Sequence, residues 1–130
     1  MMYQSGESVF RQKQMLDWAV RVFGQTALSR KERALRFAEE AIELALAEEV
    51  PPSMILNALV RVKDKERGDP EREFNQACAT LETYAEVVGR TVDAGAQAEW
   101  DRVNILDADE LRARHRVKQK QGSAYVEDEL

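Results

Sequence analysis

Apolar residues recur every three or four positions along most of this 130-residue chain, which is the spacing of one face of an α-helix. The first run extends from Glu7 to Phe23, and Gly24 follows it as the residue type that most often ends a helix. The pattern therefore predicts a first helix over residues 7–23, with Gly24 as its stop.

A second helix is predicted from the signals at its two ends. Ser29 and Glu32 have the spacing of a capping box, in which the hydroxyl and the carboxylate each accept a hydrogen bond from an unpaired backbone amide. The apolar pattern continues to about Glu49. Pro51 and Pro52 end the helix there, because neither proline has an amide hydrogen and each disfavours helical geometry in the preceding residue.

Two more helices follow in the middle of the chain. A short apolar run predicts a helix from Ser53 to about Val62, and the charged residues 63–68 predict a loop. Asp69 and Pro70 are a typical cap and first-turn residue for a fourth helix, which should end at Gly89.

The remaining sequence predicts two C-terminal helices. Asp93 is expected to cap a helix that runs through Val103, and Asp107 to cap a last one that ends at about Gln119. The whole chain, residues 1–130, is thus predicted to be one all-α domain, a bundle of five to six helices. Its helical core would cover about residues 7–118, with flexible tails at 1–6 and 119–130.

Composition narrows the class of protein. Hydrophobic residues make up 44% and charged residues 33%, as in a globular protein with an ordinary core, and the net charge of −5 argues against nucleic-acid binding. The single cysteine, Cys78, excludes an internal disulfide or a multi-cysteine zinc site, and its helical position predicts a core residue. Without a signal pattern or a long apolar run, we expect a cytoplasmic protein that does not span a membrane.

The second predicted helix carries an acidic strip. At about 100° per residue, Glu39, Glu40 and Glu43 fall within a sector roughly 100° wide, and apolar residues cover most of the remaining circumference. Like charges on neighbouring turns destabilise a helix by a few tenths of a kcal/mol per pair. Bound Mg²⁺ would offset that repulsion, since carboxylate oxygens are its preferred ligands. An ordinary solvated charged face is the alternative.

Glu73 lies on the apolar stripe of the fourth predicted helix rather than on its polar side. A carboxylate directed toward a core is costly unless it is paired, protonated or bound to a metal. The alternative is that Glu73, in the first turn, simply interacts favourably with the helix dipole.

These acids resemble the motifs of the MazG-like superfamily, the all-α nucleoside triphosphate pyrophosphohydrolases. That family places Glu-x-x-Glu on one helix and Glu-x-x-Asp on the next. Residues 36–44 are similar to the first motif and residues 73–81 to the second, and the resemblance covers roughly residues 10–118. The longer gap between the motifs and Gln76, which stands where the family has Asp, are departures from the pattern.

The resemblance implies a set of site residues. Glu40, Glu43, Glu73 and Gln76 would hold Mg²⁺, or Mn²⁺ in its place, and Glu39 or Glu40 would orient the attacking water. The reaction would cleave a (d)NTP to the monophosphate and pyrophosphate in a homodimer or homotetramer. The alternative is a weakened or inactive MazG-like helical module that binds a nucleotide or a protein partner, because Gln76 brings no charge to the site.

Three further residues are candidates for substrate binding. Arg112 and Lys118 belong to a basic run near the C-terminus, and the resemblance implies that one of them would help to neutralise the triphosphate. The alternative is that these cations at a helix end stabilise the helix dipole. Trp18 could stack on a base, whereas most tryptophans in helical bundles pack in the core. His115, within the same basic run, is interpreted as a surface residue rather than a general base.

Overall fold

The computed structural model describes residues 6–127 and confirms the all-α prediction: this range contains six α-helices and no strand. The helices, with one 3-10 segment after the first, are α1 (Gly6–Phe23), the 3-10 segment (Gly24–Leu28), α2 (Arg30–Ala47), α3 (Pro52–Lys63), α4 (Pro70–Val87), α5 (Val92–Val103) and α6 (Ala108–Lys120). None of these helices is long and apolar enough to cross a membrane.

Several predicted helix ends are confirmed in detail. The Asp69 carboxylate accepts a hydrogen bond from the Arg72 backbone N–H at 3.2 Å, and Asp107 accepts one from the Asp109 N–H at 2.8 Å. Gly24 and Gly89 have positive φ angles of 82° and 71°, a conformation that costs glycine little. The local sequence therefore determines where α1 and α4 end and where α4 and α6 begin.

Two predicted caps differ from the structure. The Ser29 hydroxyl accepts from the Glu32 N–H at 3.2 Å, as expected, but the Glu32 carboxylate does not complete the capping box. It accepts the Tyr125 N–H instead, at 2.9 Å. Asp93 does not begin its helix, because α5 starts at Val92, and its carboxylate accepts hydrogen bonds from Ser8 and Arg11. In both cases a partner distant in sequence takes the carboxylate.

The helices form two compact units. Within the described range, unit 1 comprises residues 6–36 and 92–127, and unit 2 comprises Phe37–Thr91. The boundary between the units falls within α2. The prediction of one domain for the whole chain stays a prediction.

Unit 1 has a small core with aromatic and charged contacts. The Trp18 ring lies edge-on to Trp100 at 6.3 Å and to Phe23 at 5.9 Å, a favourable geometry for aromatic pairs. The buried Arg11 side chain donates to Asp93 at 2.8 Å, which ties α1 to α5. These contacts lower the pKa of Asp93, with the Ser8 hydrogen bond as the largest cause and the Arg11 hydrogen bond next.

Unit 2 has almost no core of its own. Its single buried residue within 37–91 is Ala85, and α3 buries none of its side chains. Eleven large apolar side chains of this unit are exposed: Phe37, Ile42, Leu46, Met54, Leu56, Leu59, Val60, Val62, Phe74, Val87 and Val88. The helices therefore present to solvent the apolar faces that a globular unit normally buries.

The chain after α6 was expected to be a flexible tail, but its described part makes specific contacts. α6 continues to Lys120, Ala124 is buried, and the Gln119 side-chain amide donates to the Tyr125 carbonyl at 2.9 Å. Residues 121–127 are held against the start of α2 by the hydrogen bond between Tyr125 and Glu32. The expected tails at 1–5 and 128–130 lie outside the described residues.

Candidate functional site

The acidic strip of α2 lies in unit 2 and is largely open to solvent. Glu40 and Glu43 are exposed, and Glu39 is half-buried. The three carboxylates lie on two neighbouring turns of one continuous helix, as the sequence predicts. They are therefore accessible to an ion or a ligand that approaches from solvent.

An apolar groove of 440 Å³ lies between α2 and α4 in the same unit. Its walls are mainly alanine and leucine side chains: Ala41, Leu44 and Ala45 from α2, and Ala77 and Leu81 from α4. Phe37 and Thr80 also line it. One end is polar, because the Tyr84 hydroxyl donates to the Glu48 carboxylate at 3.1 Å. Desolvation, followed by this hydrogen bond, raises the pKa of Tyr84.

The acidic strip and the groove occupy different faces of α2. At about 100° per residue, the mean direction of Glu39, Glu40 and Glu43 lies roughly 140° from that of the groove-lining residues. Since α4 forms the other wall of the groove, Glu39 and Glu43 are turned away from α4, whereas Glu40 lies beside the groove, about 85° from its mean direction. The structure of one chain does not bring them to the residues of the second motif.

Glu73 takes a different environment from the one its position predicts. It is exposed, and its carboxylate folds over Gly68, where an added Cβ would clash with Glu73 Oε1. The expectation of a core-directed carboxylate is wrong, because Glu73 is exposed one turn before Ala77, the first residue of α4 that lines the groove. Gln76, also expected to bind metal, is exposed on α4.

The predicted metal ligands therefore remain separate. Within residues 6–127 no three His, Cys, Asp or Glu side chains are grouped so as to hold a metal ion. The donor chemistry of the α2 strip fits Mg²⁺, since it offers carboxylate oxygens, but Glu73 and Gln76 do not join it within one chain. The roles predicted for these residues stay predictions.

The three predicted substrate-binding residues all lie in unit 1. Arg112 donates to the carbonyls of Val22 at 2.8 Å and Arg21 at 3.2 Å, and to Asp109 at 2.9 Å. It thus satisfies carbonyls at the C-terminal end of α1, which have no partner within the helix. Trp18 packs against Trp100, in agreement with the alternative that this tryptophan packs in the core. Lys118 is half-buried on α6, and its carbonyl accepts from the Ser123 N–H and hydroxyl.

A buried charged cluster in unit 1 was not anticipated. Glu32 is 0% exposed; its Oε1 lies 3.2 Å from Nε of Arg36, and its other oxygen accepts the Tyr125 N–H. The Arg36 guanidinium also donates to the Ser123 carbonyl. The i,i+4 spacing of Glu32 and Arg36 indicates an ion pair, but its burial depends on residues 121–127, whose polar sequence predicts a flexible tail.

His115 borders this cluster and is not the surface residue expected. Its ring lies 4.9 Å from that of Phe23, and its Nε2 atom is buried without a hydrogen-bond partner among the described residues. Burial lowers the pKa of His115, an effect opposed by Glu32 and reinforced by Arg36, Lys118 and Arg33.

Cys78 also differs from prediction, since it is exposed on α4 rather than in a core.

Comparison with protein-family models, with curated proteins and with solved structures gave no match for this chain. What the structure defines is a class: an all-α protein with two compact units, one of which exposes an acidic helix face and an apolar groove.

Proposed function

We propose that this protein is a Mg²⁺-dependent nucleoside triphosphate pyrophosphohydrolase that acts as a homo-oligomer. The observation that supports this most directly is the solvent-facing carboxylate strip of α2, Glu39, Glu40 and Glu43, on the helix whose sequence resembles the first MazG-like motif. Three carboxylates on one open helix face provide oxygen donors for a hydrated divalent cation and leave room for its phosphate ligand.

The roles within this strip follow from helix geometry. Glu40 and Glu43 are three residues apart on neighbouring turns, so both carboxylates can bind the same ion. Glu39, one residue before, is on the edge of the strip and would accept a proton from, or orient, the attacking water. The chemistry that Mg²⁺ supplies when bound is neutralisation of the triphosphate and a lower pKa for the attacking water.

The test is pyrophosphate release from a panel of NTPs and dNTPs with Mg²⁺ or Mn²⁺. We expect Glu43→Gln to lower kcat at least 100-fold, because loss of one ligand removes several kcal/mol of transition-state stabilisation. Glu66→Gln, in the exposed loop between α3 and α4, is the matched control and should leave kcat unchanged. Turnover that survives Glu43→Gln would contradict the assignment of the strip.

A second candidate is a non-catalytic helical module that binds a nucleotide or a protein partner. Two observations favour it: Glu39 and Glu43 are turned away from α4, and Gln76 replaces the acid expected in the second motif. It predicts no release of pyrophosphate from any nucleotide and no Mg²⁺-dependent rise in Tm. A Gln76→Asp variant that gains turnover would instead support the enzyme.

A further inference from the structure

Helix α3 is the least covered helix of unit 2. Ile55 is half-buried, and the other five large apolar side chains are between 49% and 61% exposed: Met54, Leu56, Leu59, Val60 and Val62. At about 100° per residue they surround most of the helix, and a polar face remains only at Ser53, Asn57 and Arg61. A helix of 12 residues is marginal alone in water, so α3 needs a surface that covers it.

The groove between α2 and α4 has the size and the chemistry of such a surface. A cavity of about 150 Å³ accepts one benzene-sized group, so 440 Å³ accommodates about three large side chains from one helix face. The alanines in its walls (Ala41, Ala45 and Ala77) leave space for a helix to approach closely. Leu56 and Leu59 lie three residues apart on one face of α3, so both can enter the groove together.

The charges of α3 and of the groove indicate how α3 would be oriented in the groove. Lys63 lies on the same face of α3 as Leu56 and Leu59, one turn after Leu59, whereas Glu48 lies at the polar end of the groove. Among residues 6–127 of one chain, the Lys63 ammonium pairs with the adjacent Asp64 alone, at 2.8 Å, and both side chains are exposed. Such a pair contributes little to stability, so Lys63 can exchange it at small cost.

We propose that α3 of one copy of this chain occupies the α2–α4 groove of a second copy, with Lys63 beside Glu48 of the partner subunit. The exchange is reciprocal, so that a two-fold axis relates the copies and each groove is filled. This inference rests on the proposed homo-oligomer and specifies its surfaces, but it does not require catalysis.

The area of this interface is that of a weak dimer. Full burial of a large aliphatic side chain removes roughly 60–120 Å² of surface from water, and about half of that remains to be buried on a half-exposed side chain. The groove receives one face of α3, so about three such side chains, the walls that they cover and the reciprocal contact together bury roughly 500–700 Å². We therefore expect the dimer to form in a concentration-dependent manner.

The first experiment measures mass by light scattering or sedimentation over a range of protein concentrations. The wild-type chain should form a particle of about twice the 14.8 kDa of one chain. Leu59→Glu places a charge in the apolar groove and should raise the dissociation constant at least about 100-fold. Ile105→Glu is the matched control: Ile105 is 83% exposed in unit 1, and its replacement should leave the mass unchanged.

The second experiment exchanges the charges and remains decisive if Leu59→Glu impairs folding. Lys63→Glu and Glu48→Lys each put like charges at both contacts, and each should weaken the dimer roughly tenfold. An equimolar mixture of the two variants restores opposite charges at both contacts and should recover wild-type affinity. Only an intermolecular pair behaves in this way.

The outcomes separate this inference from the proposed function. A wild-type chain that stays monomeric at 100 µM, or a mixture that does not recover affinity, overturns the α3–groove dimer whatever the enzyme assay shows. A dimer in which Leu59→Glu has no effect also overturns it. A dimer that responds to both sets of variants but releases no pyrophosphate supports the dimer and contradicts only the enzyme.

Discussion

Unit 1 and unit 2 both consist of amphipathic helices but differ in what these helices bury. Of the ten buried residues within 6–127, nine belong to unit 1 and one, Ala85, to unit 2. Unit 1 joins the aromatic rings of α1 and α5 and encloses Glu32 completely. Unit 2 leaves most of its large apolar side chains in water.

The difference separates two uses of amphipathic helices. In unit 1 contacts within one chain bury Trp100 and pair the buried Glu32 carboxylate with Arg36 and with the Tyr125 N–H, so this unit gains stability from its own residues. In unit 2 the apolar face of α3 and the α2–α4 groove are both exposed within the chain, and the dimer proposed above would bring them together. A unit of this kind gains stability from association, and its stability should depend on protein concentration.

The largest expected effect is on the core of unit 1. Trp100 is 9% exposed and contacts Trp18, so Trp100→Ala should lower the free energy of unfolding by about 3–5 kcal/mol. Val87→Ala, at a side chain of unit 2 that is 81% exposed, should change it by less than about 0.5 kcal/mol. Urea unfolding followed by circular dichroism measures both.

Tryptophan fluorescence sharpens the same comparison, because both tryptophans of the chain, Trp18 and Trp100, lie in unit 1. Circular dichroism, by contrast, reports the helices of both units. If the two units differ as the structure indicates, the two signals of the wild-type chain will not coincide during unfolding. If Trp100→Ala lowers the free energy of unfolding by less than about 1 kcal/mol, unit 1 is not the more stable unit.

The next effect concerns the buried charge. Glu32→Gln leaves Arg36 without its anion in a nearly closed environment and should destabilise the chain by about 3 kcal/mol. Glu82→Gln, at an exposed position of α4, is the control and should be nearly neutral. Equal effects of the two variants would show that residues 121–127 do not enclose Glu32 in solution.

Local signals in the sequence were sufficient for the helices but not for their environments. The caps at Asp69 and Asp107 and the stops at Gly24 and Gly89 depend on neighbouring residues, and each was predicted correctly. The carboxylates of Glu32 and Asp93 bind partners that are 82 or more positions away, and no local pattern contains those partners.

The candidate site shows the same limit. The sector of Glu39, Glu40 and Glu43 follows from helix geometry alone, and their accessibility agrees with it. Whether Glu73 joins them depends on which face of α2 meets α4, a tertiary contact that periodicity does not define. Arg112 illustrates the opposite case, since its basic character is equally suited to a phosphate and to the carbonyls of α1 that it contacts.

The smallest effect is a pH dependence confined to unit 1. Because burial lowers the pKa of His115, the folded chain binds a proton less readily there than the unfolded chain, whose histidine titrates near pH 6.5. The contribution of neutral His115 is therefore complete above pH 6.5 and is lost as the pH falls from 6.5 toward the lowered pKa of the folded state. The slope of stability against pH in this window is at most about 1.4 kcal/mol per pH unit for one proton.

His115 is the only histidine, and the lowered pKa of Asp93 acts in a more acidic window, so the slope between pH 5.5 and 6.5 can be assigned to one side chain. His115→Gln should flatten it, as measured by urea unfolding with tryptophan fluorescence at a series of pH values. A slope that persists in this variant would place the titrating group outside the cluster around Glu32. Burial and the repulsion from Arg33, Arg36 and Lys118 lower the pKa of His115, whereas Glu32 raises it. A slope of opposite sign in the wild-type chain would mean that the attraction of Glu32 is the larger effect.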